Sequence, residues 1–345
     1  MNRIFAITTR GLEAVSADEL AALPGITVEQ IAYRRILASC HGSLSPLLSL
    51  RTVDDVFLQV GTWPDVDRAR QTLEALRAAS AQLPLEMALE VCRQIRTIES
   101  PPTFSITANF VGKRNYSTRE IKQACATGIA DQQRWSYSEN DSQADLNIRV
   151  FIEGSTAVVG VRLGAQSLSR RLYKQQHVVG SLKPAVAAAL LKVAGIVPGA
   201  RILDPCCGAG TILIEASVNG ISIWGGDINP EALAAARFNA SQAGLAIPVR
   251  CWDARALPIA DGSFDYVVSN LPWGRAVSTD GSLEALYQGI GAEIERVLSP
   301  SGQSVLLTNR PDLLHFKGLK CDRQIEISLF GQTPMITIWS HRAQG

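Results

Sequence analysis

The second half of the chain repeats one pattern four times: a short apolar run that ends on an acidic or amide side chain. The runs cover residues 202–203, 221–226, 249–252 and 264–269, and the residues that follow or end them are Asp204, Asp227, Asp253 and Asn270. Helical stretches separate the first three runs, and strands that alternate with helices predict a mostly parallel sheet with helices on both faces. Because parallel strands present their carboxyl ends at one edge of the sheet, we expect these four side chains to line a common crevice.

The same half carries signals for helix ends and for an antiparallel edge. Ser181, as a possible cap, and Pro184 in the first turn predict a helix start. Asn229 before Pro230 predicts a second start, with Gly244 as its stop. A helix over 282–298 and a strand over 303–308 come next, and the β-rich runs 324–330 and 335–339 predict a hairpin.

The first half has a different organisation. Strand-like runs at 3–8, 104–110, 146–151 and 156–161 mix with helical stretches at 11–23, 66–80 and 119–133, which is typical of an α+β fold. At roughly 150 residues per domain, 345 residues suggest two domains and perhaps a small third module. We therefore predict a small domain over 1–60, a second α+β domain over 61–165, a polar connector over 166–183 and the α/β domain over 184–345.

The loop from residue 204 to residue 211 indicates the class of ligand. Gly208 and Gly210 let the backbone turn tightly and approach a ligand closely. Position 213 is leucine where a dinucleotide fingerprint needs glycine, and no Gly-Lys-Ser or Gly-Lys-Thr of a phosphate-binding loop follows. Asp204 at the head of the loop favours a cationic or zwitterionic group, Asp227 suits the hydroxyls of a ribose, and Asp253 suits an adenine amino group. These three parts together match S-adenosylmethionine.

Residues 270–273, Asn-Leu-Pro-Trp, follow the fourth strand and suit chemistry at an amine nitrogen. The lone pair of an exocyclic amine is delocalised into its ring, so this nitrogen is a poor nucleophile. The Asn270 side-chain oxygen and the Leu271 carbonyl can accept its two N–H bonds, which aligns the nitrogen and stabilises developing positive charge. Pro272 stiffens the turn, and Trp273 offers a stacking face for an extruded base.

With these residues in place, the second half resembles a class I, S-adenosylmethionine-dependent methyltransferase. The tetrapeptide is similar to the Asn/Asp-Pro-Pro-aromatic motif of nitrogen methyltransferases, and leucine at its second position resembles the guanine-N2 branch more than the adenine-N6 branch. The resemblance implies a Rossmann-like, seven-stranded, mostly parallel sheet, a catalytic set at Asn270, Leu271, Pro272 and Trp273, and no metal. It also implies a cofactor set consisting of Ser181, Asp204, Pro205, Gly208, Gly210, Thr211, Asp227, Ile228, Asp253, Ala254 and Asn270.

Residues 104–122 place a strand before a basic turn and a helix, and they resemble the core of the THUMP domain, an RNA-binding module. Residues 145–161 and 168–174 continue this resemblance, and a ferredoxin-like domain over 1–60 is inferred because it usually precedes THUMP. The basic residues expected to contact RNA phosphates are Lys113, Arg114, Arg119, Lys122, Arg170, Arg171 and Lys174. For the connector residues, packing on the catalytic domain is the alternative.

The resemblance implies an enzyme that forms N2-methylguanosine, most often in tRNA, with a lean towards the acceptor stem. The alternatives are an rRNA guanine-N2 methyltransferase, a protein glutamine methyltransferase and an inactive RNA-binding protein. Seven scattered cysteines without a C-x-x-C pair, and the lack of a transmembrane-length apolar run, favour a cytoplasmic protein. The sequence leaves open the target nucleotide, mono- or dimethylation, the need for a partner subunit and the oligomeric state, for which a monomer fits. A net charge of +1 excludes only a uniformly basic surface.

Overall fold

The computed structural model describes residues 1–218, 220–274 and 282–342. In these residues the chain forms two compact units, one made of residues 1–7 and 17–168 and the other of residues 8–16 and 169 onwards. The helices are α1 (Glu13–Ala21), α2 (Thr72–Ala81), α3 (Leu85–Arg93), α4 (Thr118–Gln133), α5 (Pro184–Ala194), α6 (Thr211–Val218), α7 (Pro230–Gln242) and α8 (Leu283–Val297). Short 3₁₀ helices lie at Ser45–Ser49, Asp141–Gln143 and Pro311–Leu313.

The first unit is built on one sheet. Its strands are β1 (Asn2–Ile7), β2 (Ile26–Ala32), β3 (Arg35–Cys40), β4 (Asp55–Trp63), β5 (Thr103–Phe110), β6 (Ser136–Tyr137), β7 (Leu146–Glu153) and β8 (Thr156–Arg162). They are ordered β2-β3-β1-β4-β8-β7-β5-β6. The predicted domain boundary at residue 60 falls inside β4, which pairs antiparallel with β1 on one side and with β8 on the other. The predicted domains over 1–60 and 61–165 therefore share a single eight-stranded sheet, because one strand joins them.

The second unit holds the parallel sheet. Its strands are β9 (Ile202–Asp204), β10 (Ile223–Asp227), β11 (Val249–Cys251), β12 (Phe264–Asn270), β13 (Leu298–Thr308), β14 (Leu319–Glu326) and β15 (Met335–His341). Their order is β11-β10-β9-β12-β13-β15-β14, with parallel pairing from β11 to β13 and antiparallel pairing of β15 with both neighbours. The predicted seven-stranded, mostly parallel sheet with a terminal hairpin is confirmed.

Alternate residues of β12 enter different hydrophobic clusters. Val267 packs with one cluster and Val268 with another, and both side chains are completely buried. Because successive side chains of a strand point to opposite faces, apolar residues cover this sheet on both faces. The layered arrangement leaves the carboxyl ends of the strands as the edge where polar groups collect.

Two local predictions shift in the structure. Ser181 does not cap α5: Lys183 takes the N-cap position and Pro184 the first turn, while the Ser181 backbone N–H donates to the Val178 carbonyl. The sixth strand of the domain is β14 at 319–326 rather than 324–330, because residues 327–332 turn back through a bridge between Leu329 and Gln332. Asn229 caps α7 as predicted, with its side chain accepting the Glu231 backbone N–H.

Candidate active site

Asp204 ends β9 and is tied to the end of β12. Its Oδ1 accepts the Ser269 hydroxyl at 2.7 Å and the Cys206 backbone N–H at 3.2 Å. Only 1% of Asp204 is exposed, and this burial raises the pKa of its carboxyl to about 7. The side chain therefore stands at the sheet edge as an acid that titrates near neutral pH.

The glycine loop is tied to the end of β10 by Asp227. Asp227 Oδ2 accepts the Gly208 backbone N–H and its Oδ1 accepts the Asn229 backbone N–H, each at 2.9 Å. Each carboxylate oxygen offers two lone pairs, so the side chain is oriented and still has capacity for further donors. Gly210 has a φ of +76°, and a Cβ there would meet the Ala236 Cβ at 3.0 Å, so only glycine fits this turn.

Asp253 follows β11 and is held by its neighbour. Arg255 Nε donates to both carboxylate oxygens of Asp253 at 3.0 Å, its Nη2 donates to Oδ2 at 2.6 Å, and its backbone N–H donates to Oδ1 at 2.9 Å. These hydrogen bonds lower the pKa of Asp253. They also take up most of the acceptor capacity that the sequence interpretation assigns to an adenine amino group.

Asn270 ends β12, and the two polar atoms of its side-chain amide differ in their hydrogen bonding. Its Nδ2 donates to the Gly180 carbonyl at 3.3 Å. Its Oδ1 is buried and has no hydrogen-bond partner among the residues that the structure describes. The Gly180 contact identifies which amide atom is the nitrogen, so the oxygen is the acceptor that the described residues leave without a donor.

Two further polar atoms of the predicted site are buried without a partner in the described part of the chain: Ser181 Oγ and Trp273 Nε1. Buried polar atoms are normally hydrogen-bonded, so such atoms need an explanation. Ser181 directly follows Gly180, whose carbonyl holds Asn270, and Trp273 belongs to the same tetrapeptide as Asn270. The Asn270 contact thus brings the segment at 180–181 to the tetrapeptide.

The connector packs within the second unit through its basic residues. Arg171 Nε donates to Glu215 Oε1 at 3.1 Å, where the Glu215 side chain has no exposed surface and the Arg171 side chain is 10% exposed. Lys174 Nζ donates to the Leu182 carbonyl and, at 3.2 Å, to Thr211 Oγ1. Burial lowers the pKa of Lys174 to about 8. The structure thus favours the packing alternative over phosphate contact for Arg171 and Lys174.

The other predicted RNA contacts divide in the same way. Arg114 donates through Nη1 to the Val66 and Asp67 carbonyls and to the Tyr116 hydroxyl, and through Nη2 to the Gly154 carbonyl. It therefore fastens loops of the first unit together. Lys122 is half-buried, and the exposed members of the set are Lys113, Arg119 and Arg170.

Several residues at the site were missed by the sequence interpretation. Arg255 lies two positions after Asp253, which it contacts, so the sequence shows that proximity. Ser269 directly precedes Asn270 but contacts Asp204, a residue of a different strand. The Gly180 carbonyl and Tyr287, whose hydroxyl donates to the Pro272 carbonyl, come from distant segments. No local sequence pattern predicts these long-range contacts.

The described residues contain no cluster of three or more His, Cys, Asp or Glu side chains arranged to hold a metal ion. Among them, no helix has the length and apolar character needed to cross a membrane.

Comparison with known proteins assigns both halves of the chain. Residues 71–162 match the family model of the THUMP domain, and residues 171–326 match that of the RMKL-like methyltransferase domain. The chain joins a THUMP domain to a methyltransferase domain. The predictions of these two domains and of a class I methyltransferase fold are confirmed.

Relatives of this chain are named tRNA (guanine(6)-N2)-methyltransferase. The protein of that name from Thermus thermophilus is 33% identical over 221 residues, which span 63% of this chain and 65% of the relative. The one from Archaeoglobus fulgidus is 25% identical over 89% of this chain and 83% of its own. The crystal structure of TrmN from Thermus thermophilus superposes with a TM-score of 0.81 at 26% identity, covering 99% of this chain and 100% of that one.

The polar groups of the site fit S-adenosylmethionine, the methyl donor that class I methyltransferases use. Asp227 is oriented by two backbone donors and retains acceptor capacity for hydroxyl groups. Ser181 Oγ is a buried polar atom that lacks a partner within the described chain. The left-handed turn at Gly210 closes the loop beside this edge of the sheet.

Proposed function

We propose that the protein transfers a methyl group from S-adenosylmethionine to the exocyclic N2 nitrogen of a guanine in tRNA, at position 6 of the acceptor stem. The observation that carries the proposal is Asn270 Oδ1 at the end of β12, which has no hydrogen-bond partner among the described residues and is oriented by the bond from Nδ2 to the Gly180 carbonyl. An amide oxygen in this state can accept an N–H bond without competition from a donor in the described part of the chain. The names of the relatives support guanine N2 as the nitrogen and tRNA as the substrate.

When bound, the cofactor supplies a methyl group already activated on a sulfonium sulfur, so the protein has to position the amine. Asn270 Oδ1 and the Leu271 carbonyl accept the two N–H bonds of the amine and direct its lone pair. Both acceptors stabilise the positive charge that builds on the nitrogen during transfer. Asp227 holds the ribose hydroxyls, and Ser181 and Asp204 face the amino acid part.

The exposed residues Lys113, Arg119 and Arg170 would contact phosphates and set the register of the RNA without reading its sequence. Base recognition then falls to the residues around the tetrapeptide, where Trp273 offers a stacking face for the extruded guanine. In this proposal the basic residues provide affinity for RNA, and Asn270 determines which nitrogen is methylated. A cytoplasmic location agrees with a tRNA substrate.

Tritiated methyl transfer to tRNA, rRNA and protein pools tests the proposal. We expect label in tRNA, mapped by nucleoside analysis to N2-methylguanosine, and a tRNA transcript with adenine at position 6 should stay unlabelled. Label only in rRNA or only in protein would refute the substrate. Absence of label from every pool, with measurable cofactor binding, would favour the alternative of an RNA-binding protein without activity.

Asn270→Ala tests the acceptor role. We expect the variant to lose at least about 100-fold in turnover, as when a transition-state acceptor or donor is removed, with cofactor affinity nearly unchanged. Asn147→Ala is the matched control, because Asn147 is a buried amide of the first unit that donates to Ser105 and Thr107. Equal turnover of Asn270→Ala and wild type would remove Asn270 from the mechanism.

A further inference from the structure

A buried chain of hydrogen bonds lies behind the tetrapeptide. The Tyr287 hydroxyl, on α8, donates to the Pro272 carbonyl at 2.9 Å and lies 2.6 Å from Thr308 Oγ1 at the end of β13. The Arg310 backbone N–H donates to the same Thr308 oxygen at 2.9 Å. Tyr287 is 1% exposed and Thr308 is completely buried, so solvent does not compete for these bonds.

The direction of each bond follows from the groups involved. A carbonyl can only accept, so the Tyr287 hydrogen is committed to Pro272. The Arg310 N–H can only donate, so it uses a lone pair of the Thr308 oxygen and leaves the Thr308 hydrogen to donate to Tyr287. Burial raises the pKa of Tyr287 to about 12, which keeps its donor hydrogen in place at neutral pH.

These hydrogen bonds fix one end of the Leu271–Pro272 segment, and a backbone hydrogen bond fixes its other end. The Leu271 backbone N–H donates to the Leu307 carbonyl at 3.0 Å, and the Pro272 carbonyl accepts from Tyr287. The Leu271 carbonyl lies between these two anchors, and the proline that follows it has a fixed φ and no N–H. Its direction is therefore determined by contacts on both sides.

We propose that Tyr287 is a positioning residue for methyl transfer: its hydroxyl, oriented by Thr308, holds the Leu271–Pro272 peptide so that the Leu271 carbonyl points at the amine. Tyr287 does not touch the reacting atoms and acts only through the backbone of the tetrapeptide. The inference rests on the proposed function for its kinetic consequence. Its structural consequence, an ordered tetrapeptide backbone, stands without that function.

Tyr287→Phe tests the proposal because it keeps the ring in the core and removes only the hydroxyl. We expect kcat for tRNA methylation to fall between about 10-fold and about 100-fold, the range for a small misplacement of a catalytic group, with KM for S-adenosylmethionine within about twofold of wild type. Thr308→Val should give a smaller fall in kcat, because Tyr287 keeps its bond to Pro272 and loses only the group that orients it.

Tyr116→Phe is the matched control, since Tyr116 is a buried tyrosine of the first unit whose hydroxyl donates to the Asp67 carbonyl at 2.6 Å. It should lower the thermal midpoint about as much as Tyr287→Phe and leave kcat unchanged. Falls of similar size in kcat for both variants would mean that any loss of buried hydroxyl bonding slows the enzyme, and would overturn the positioning role.

Hydrogen exchange followed by mass spectrometry separates this proposal from the proposed function. In Tyr287→Phe we expect faster exchange of the amides of Leu271 and Trp273, with exchange in β9 and β10 unchanged. If wild-type protein methylates no RNA, the proposed function fails while this exchange result still tests the anchor. Unchanged exchange at 271–273, or unchanged kcat in an active enzyme, would overturn the inference.

Discussion

Glu215 on α6 offers a test of how the connector is held, because its buried carboxylate receives two connector side chains. Arg171 Nε donates to Glu215 Oε1 at 3.1 Å and the Tyr173 hydroxyl donates to the same oxygen at 2.7 Å. At 3.1 Å and an effective dielectric constant of about 20, the attraction between the two charges is about 5 kcal/mol. Neutralising one member of a buried pair costs about 3–5 kcal/mol. Glutamine can still accept both hydrogen bonds, so we expect Glu215→Gln to lower the free energy of unfolding by about 3 kcal/mol.

Urea unfolding, followed by circular dichroism and tryptophan fluorescence, measures this loss. Asp312→Asn is the control, because the Arg310–Asp312 pair has side chains that are 38% and 59% exposed, and exposed pairs contribute at most about 1 kcal/mol. A loss for Glu215→Gln no larger than that of the control would refute the reasoning that burial makes the connector pair strong. It would also restore Arg171 as a candidate for RNA contact.

The remaining predictions concern the cofactor and the RNA. Burial raises the pKa of Asp204 to about 7, so its carboxyl gains the negative charge that attracts an ammonium group as pH rises through 7. We expect the affinity for S-adenosylhomocysteine, measured by calorimetry, to rise about tenfold between about pH 6 and about pH 8 in wild type and to stay flat in Asp204→Asn; an equal pH dependence in both proteins would contradict this role. For RNA, Lys113→Ala combined with Arg119→Ala should reduce the slope of log affinity against log salt by about 1.5, with an unchanged unfolding midpoint. A slope equal to that of wild type would place the phosphate contacts elsewhere.

The parallel sheet and the core of the site were predictable because their signals are local. Each polar residue directly follows or ends an apolar run, and the topology of parallel strands then gathers Asp204, Asp227 and Asn270 at one edge. The number of strands, seven, came from the resemblance rather than from periodicity. Their order was not predicted, because strand order depends on contacts between distant segments.

The remainder of the fold depends on pairing across long separations. The sequence analysis did not predict that β4 joins the two predicted N-terminal domains. No pattern in the residues of β4 indicates that it pairs with a strand on each side. α3 is a different case: Leu85, Ala88, Leu89 and Cys92 follow the i, i+3, i+4, i+7 spacing of an amphipathic helix and are buried together. That signal was present in the sequence and was missed.

Hydrogen bonds within the protein reduce the number of basic residues that remain candidates for RNA contact. Of the basic residues predicted to contact RNA, three already donate to acceptors within the protein: Arg114, Arg171 and Lys174. Moving Arg171 or Lys174 to a phosphate would leave buried acceptors unpaired at about 1–3 kcal/mol each, so we expect these two to stay in place. Arg114 would lose hydrogen bonds to three carbonyls at once. The exposed candidates are then Lys113, Arg119 and Arg170, and at about 0.7–0.9 per phosphate their combined salt slope is about −2 to −3. So shallow a dependence gives weak nonspecific binding, in keeping with a net charge of +1. Under the proposed function, we therefore expect discrimination among RNAs to arise where the base docks, at the acceptors of Asn270 and Leu271. The proposed function depends on those two residues more than on any basic side chain.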